Sequence, residues 1–361
     1  MLAVLLASLV APTVLSDPNV FPIAVWLQTP ASAQKYKDIG INLYVGLWEG
    51  PTQEQIDALE KAKMPVVCAM NDWAKAHLDN KTIVGWMHDD EPDNAQALPG
   101  GKGYGPPVAT DKIVADYHRM KVADPSRPVI LNLGQGVAWD GWYGRGDRTN
   151  HPEDYAAYAK GCDIASFDIY PVTSPPPVQG DLAFVGRGTQ RLRSWTAPNQ
   201  KVWACIEATR IGNPNVKPTP AQTKELVWQA IVHGAQGLVY FSHQFAPKFI
   251  EAGILADEEM SNGVRAINQQ VQSLAPVLNS PDVKGTVSVS SAQPVDVLVK
   301  RRGKELYVFA VSMSKVATDA TFKVRGREAE VLGEGRTAPF SSGVLRDHFE
   351  PFAVHLYRLK A

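Results

Sequence analysis

Cysteine is scarce in this chain: three in 361 residues, at Cys68, Cys162 and Cys205. An odd number leaves at least one thiol unpaired, and no pair has zinc-type spacing, so neither a disulfide scaffold nor a metal–thiolate module is expected. Cys68 and Cys205 fall in apolar strand-like runs, where a thiol behaves as a small buried hydrophobe. Excess charge of one sign is missing too. With 36 Lys and Arg against 37 Asp and Glu, the chain lacks the basic footprint of nucleic-acid binding. No His-x-His or comparable ligand spacing occurs, so no metal and no cofactor is expected. The Gly-rich stretch from Pro99 to Pro107 lacks the Lys-Ser/Thr of a phosphate-binding loop and reads as a substrate-side loop.

Long apolar runs are confined to the N-terminus. Met1 to Ser16 is apolar, too short to span a bilayer, and matches the hydrophobic region of a signal peptide over residues 1–17, although no basic leader precedes it. The expectation is a secreted or periplasmic protein with no membrane span in its mature form, acting as a monomer.

What is present is a large apolar fraction, 45% against 20% charged, enough for a barrel of roughly 250 residues plus a smaller module. Eight short apolar runs alternate with amphipathic segments: Pro22–Leu27, Ile41–Leu47, Pro65–Met70, Ile83–His88, Pro128–Leu133, Asp163–Tyr170, Lys201–Glu207 and Gly237–Ser242. Helices are expected at Thr52–Lys63, with Thr52 as N-cap, at Asp111–Val122 and at Thr219–Gly234. This pattern predicts an α/β fold, a (β/α)₈ TIM barrel over 18–280 whose parallel strands are buried on both faces. After a helix at Glu258–Leu278 the texture changes to alternating strands with turn residues between them. Residues 281–361 are therefore expected to form a small antiparallel β-sandwich, a stabilising appendage or a sugar-binding module.

Two carboxylates stand where apolar strands end: Glu91, after the fourth run in Asp89-Asp90-Glu91-Pro92, and Glu207, closing the seventh. Active sites of (β/α)₈ barrels are built at the C-terminal ends of the strands, and glycoside cleavage needs two carboxyl groups on rigid elements. Other strand-end residues suit hydroxyls and an apolar sugar face: Trp48 and Glu49, Asn71 and Trp73, Asn132, Asp168 and His243.

These features resemble the clan A glycoside hydrolases, over residues 21–275. The resemblance implies a retaining hydrolase of β-linked oligo- or polysaccharides, with Glu91 as acid/base and Glu207 as nucleophile. It also implies that Tyr170, in Asp168-Ile169-Tyr170-Pro171, hydrogen-bonds that nucleophile. Asp90 stands where the clan usually has a sugar-binding Asn; it can still accept from a sugar hydroxyl, and it packs negative charge around the proton donor. A barrel that binds carbohydrate without turnover is the alternative, and a metal-dependent hydrolase a third.

Overall fold

The computed structural model describes residues 12–360. Its larger sheet is wholly parallel, in the order β7-β6-β5-β4-β3-β2-β1-β9-β8. The strands are β1 (Ile23–Trp26), β2 (Leu43–Val45), β3 (Val66–Ala69), β4 (Ile83–Met87), β5 (Val129–Leu133), β6 (Ile164–Phe167), β7 (Lys201–Val202), β8 (Ala204–Glu207) and β9 (Leu238–Phe241). All eight expected runs are strands, a little shorter than the apolar stretches that mark them. β7 and β8 are halves of one barrel strand interrupted at Trp203. The first half pairs with β6 and the second with β9, and the Trp203 N–H still reaches the Ala165 carbonyl at 2.8 Å. That exchange of partners closes the barrel.

Side chains alternate between two apolar layers. Ala24, Val45, Val67, Ile130, Ile164, Trp203, Cys205 and Val239 fill the interior, while Val25, Tyr44, Cys68, Trp86, Leu131, Phe167 and Ile206 face the helices. Two helices start where expected, each with a reciprocal capping box. Thr52 exchanges hydrogen bonds with Gln55 at the head of Gln53–Ala62, and Thr219 does so with Gln222 at the head of Pro220–Val232. The helix Ala183–Trp195 includes Gly186 and Gly188 in its buried face. A Cβ at Gly188 would lie 2.4 Å from the Phe167 ring, so glycine is what lets this helix rest on β6.

Of the expected leader, residues 1–11 lie outside the described residues. The segment that follows packs under the barrel. Leu15 is buried in the interior layer, the Lys201 ammonium donates to its carbonyl at 2.5 Å, and the Asn279 amide donates to the carbonyls of Pro18 and Val20. Among the described residues no helix is long and apolar enough to cross a membrane. The three thiols are buried and unpaired.

The C-terminal region is a sandwich of a four-stranded sheet (β10-β13-β17-β16) and a five-stranded one (β11-β12-β18-β14-β15). Its strands are β10 (Ser288–Ser291), β11 (Val295–Arg302), β12 (Glu305–Ser312), β13 (Thr318–Lys323), β14 (Glu328–Val331), β15 (Arg336–Ala338), β16 (Phe340–Ser341), β17 (Val344–Phe349) and β18 (Val354–Lys360). One face of the larger sheet joins the barrel's outer core through Tyr307, Phe309 and Val311. The Gln229 amide donates to the Ser312 carbonyl at 2.8 Å across that contact.

Candidate active site

Glu91 stands in the turn that leaves β4, with a backbone φ of +44°. A side-chain-bearing residue is disfavoured there by roughly 1 kcal/mol or more and holds the conformation only when its surroundings enforce it. Here they do. The Glu91 N–H donates to the Asn132 carbonyl at 3.2 Å, and its own carbonyl accepts from the Asn94 N–H at 3.0 Å. Asp93, wholly buried, anchors the turn to β5 and beyond: it accepts from the Gly134 N–H at 2.8 Å and the Tyr155 hydroxyl at 2.9 Å. Arg145 lies over the Tyr155 ring at 4.8 Å and pairs with Asp154 at 2.7 Å, bracing that anchor from outside.

The Glu91 side chain is then aimed by Asn94. The Asn94 amide donates to its Oε2 at 2.8 Å, and Asn94 is itself held by the Trp142 indole N–H at 2.8 Å. Gly134 leaves room for both. A Cβ there would come within 2.8 Å of the Asn94 amide and 3.0 Å of Glu91 Oε1.

Around Glu91 the interior row of the barrel turns polar at its C-terminal end. Asn132 on β5 donates to Asp90 at 2.8 Å and accepts from Ser166 on β6 at 2.7 Å. One step beyond Ser166 on the same face, Asp168 lies where the charges of Glu91 and Asp90 bear on its carboxyl. The Tyr170 hydroxyl donates to Asp168 Oδ2 at 2.9 Å. Burial first, and then the Glu91 and Asp90 charges, raise Asp168 well above the usual carboxylate range. Water reaches Asp90 from the mouth, yet protein crowds its carboxyl, and that enclosure with the charge of Glu91 lifts it to about 7. Burial also pushes Asp93 up to about 6, against the bond from Gly134.

Glu207 has different company. It is wholly buried and accepts from the Val172 N–H at 2.6 Å, the Thr173 N–H at 3.1 Å and the Thr173 hydroxyl at 2.8 Å. Burial pushes it up to about 7, opposed by those three donors. The expected bond from Tyr170 goes to Asp168, because Tyr170 and Asp168 share the inward face of one segment while the two residues beyond Pro171 turn their N–H groups onto Glu207. Arg210 reaches Gln244 at 3.4 Å.

Other expected sugar contacts divide. Trp48 and Glu49 are exposed at the rim, and Asn132 and Asp168 lie in the pit. Asn71 and Trp73 serve the fold: Asn71 caps the helix Asp72–Ala76 by accepting from the Ala74 N–H at 2.9 Å, and Trp73 stacks on His77 at 4.1 Å. His243 is buried with its Nε2 3.3 Å from the Gln28 amide, while His88 Nε2 meets the Gly161 carbonyl at 2.8 Å. Among the described residues no three His, Cys, Asp or Glu come together as a metal-ligand set. Asp93, Asn94, Gly134 and Ser166 escape a reading of the sequence that looks for chemistry. The acidic and amide run from Asp90 to Asn94 is the one local signal for two of them.

No family model and no curated protein match the chain. Solved structures share its fold. A catalytic mutant of a GH42 β-galactosidase from G. stearothermophilus superposes with a TM-score of 0.61 at 8% identity, over 95% of this chain and 98% of the other. The Geobacillus thermoleovorans α-amylase, solved with acarbose, gives 0.59 at 10% identity, over 95% and 99%. A protein described as a putative α-galactosidase from Bacteroides fragilis gives 0.56 at 10%, over 95% of this chain and 79% of the other. The shared architecture is a (β/α)₈ barrel carrying a C-terminal β module.

Proposed function

We propose that this protein is a glycoside hydrolase whose reacting carboxyls are Glu91 and Asp168. The observation that carries the reading is the Tyr170 hydroxyl donating to Asp168 at 2.9 Å at the C-terminal mouth of the barrel, where the Glu91 charge bears on Asp168. Burial and the neighbouring negative charges raise Asp168, which keeps the two groups from ionising side by side. Glu91 has the more open position and the Asn94 amide aims its carboxyl, so it is the group that delivers a proton to the leaving oxygen. Asp168 yields its proton through Glu91 and, held by the Tyr170 hydroxyl, meets the positive charge that develops at the anomeric carbon. Retaining enzymes hold their carboxyls roughly 5–5.5 Å apart and inverting ones roughly 6.5–9.5 Å, and neighbouring carboxyls suit the closer class. Double displacement with retention is therefore the proposed course, and the Glu91-Pro92 motif favours a β linkage. Export from the cell, proposed from the apolar N-terminus, suits an extracellular polymer and requires that any leader be cut before Leu15, which the barrel buries.

Glu207 is assigned a positioning role in this reading. By gripping Val172 and Thr173 it fixes the segment that presents Asp168 and Tyr170. A nucleophilic Glu207 is the second reading, favoured by its place on the same inward row as Trp203 and Cys205.

The test is hydrolysis of a panel of aryl α- and β-glycosides, β-glucan, xylan, galactomannan and starch, with the product anomer followed by NMR. A retained β product is expected. In Asp168→Ala, azide should restore turnover and give the inverted glycosyl azide; rescue confined to Glu207→Ala would transfer the nucleophile to Glu207. A barrel without turnover on any substrate would leave only carbohydrate binding.

A further inference from the structure

Five aromatic rings stand exposed among the described residues, and all belong to loops at the mouth of the barrel. Trp48 (71% exposed) follows β2, Tyr104 (76%) lies on the loop after β4, Tyr143 (68%) on that after β5, and Phe245 (53%) and Phe249 (61%) on that after β9. A soluble protein gains nothing by presenting large apolar rings to water, and concentrating them on one face marks a binding surface. Their distribution carries the argument further. β9 and β2 flank β1 on one side of the barrel, whereas β4 and β5 lie across the mouth, so rings stand on both sides of the pit that holds Glu91 and Asp168.

Each side has a built platform. Tyr143 packs on Trp142 at 4.6 Å between ring centres, and Trp142 is hydrogen-bonded to the Asn94 that holds Glu91. This platform is therefore tied to the proton donor, on the side where the leaving group departs. Opposite, Phe245 and Phe249 lie 5.8 Å apart, and both stack on His243 at 6.0 Å with interplanar angles of 15° and 17°. Between the platforms lie the carboxyls of Asp90, Glu91 and Asp168, which repel a polyanion.

We propose that the two platforms are sugar-stacking subsites flanking the cleavage point, and that the substrate is a neutral polysaccharide cut within its chain. Flat C–H faces of pyranose rings complement exposed aromatic faces, and a pocket for one terminal sugar would need no rings on the far side. The cut rests on the glycosidase reading; the binding does not.

The experiment uses full-length Glu91→Gln in native gels containing β-glucan, xylan, galactomannan or starch, with polygalacturonate as the anionic control. Retardation by at least one neutral polymer is expected. Adding Tyr143→Ala or Phe249→Ala to that background should each weaken it about fivefold, with the thermal midpoint unchanged. Wild-type enzyme on the retarding polymer should release mid-length oligosaccharides first. No retardation by any neutral polymer, retardation indifferent to both ring variants, or retardation by polygalacturonate alone would overturn the proposal. Release of monosaccharide as the first product would overturn internal cleavage. Hydrolysis of aryl glycosides without polymer retardation would sink the subsites and spare the glycosidase. Ring-dependent retardation without any hydrolysis would do the reverse.

Discussion

The ends of the fourth and seventh barrel strands each carry a buried or half-buried glutamate, and the two have opposite surroundings. Glu91 is partly open, strained at its backbone, aimed by the Asn94 amide and set where its charge bears on a second carboxyl. Glu207 is closed off from water and committed to three donors of a neighbouring loop. A strand-end position is thus shared by a group placed to react and a group placed to hold. What separates them is the spare bonding capacity of the carboxyl. Glu207 has donors on both oxygens, whereas one oxygen of Asp168 has no donor within reach, leaving it for a shared proton or a sugar.

The largest test of that contrast is kinetic. Glu91→Gln and Asp168→Asn should each lower kcat on a polysaccharide by roughly a thousandfold, the scale of a lost general acid or of a lost partner charge. Their thermal midpoints should hold. Glu207→Ala should behave in the opposite way. It strands the N–H groups of Val172 and Thr173 in the interior, at a cost of about 3 kcal/mol in unfolding free energy measured by urea titration.

Next in size is Gly134→Ala. The Gly134 backbone tolerates alanine, so the added Cβ acts by pressing on Asn94 and Glu91. About a tenfold fall in kcat with little change in KM or melting temperature is expected; an unchanged kcat would mean that the Glu91 turn adapts.

The smallest effect is in the pH dependence of stability. Glu207 protonates more readily folded, at about 7, than unfolded, at an ordinary value near 4.5. Its contribution is therefore fully present below pH 4.5 and lost as pH rises to about 7. Glu207→Gln should flatten the melting curve between those limits, and a variant whose slope matched wild type would show that Glu207 stays ionised.

The barrel strands were legible because parallel strands buried on both faces are written as unbroken apolar runs. The break at Trp203 was not, since it reflects which neighbour each half pairs with. Glu91 was legible from an apolar strand ending in acids. Asp168 was read as a sugar contact, and its pairing with Glu91 and Tyr170 depends on side chains from β4 and β6 meeting across the pit. The mistaken acceptor for Tyr170 has the same origin: Glu207 looks available until the N–H groups of Val172 and Thr173, thirty-odd residues earlier, turn toward it. Asn71 and Trp73 followed local rules instead, a helix cap and a stacking partner four residues on.

Leu15 gives the barrel a floor. With that side chain wedged beneath the interior layer and its carbonyl tied to Lys201, the packed column under the catalytic pit is closed from below. A version beginning at residue 17 would lose that stopper and leave Gly85, against which Leu15 rests, facing an unfilled hollow.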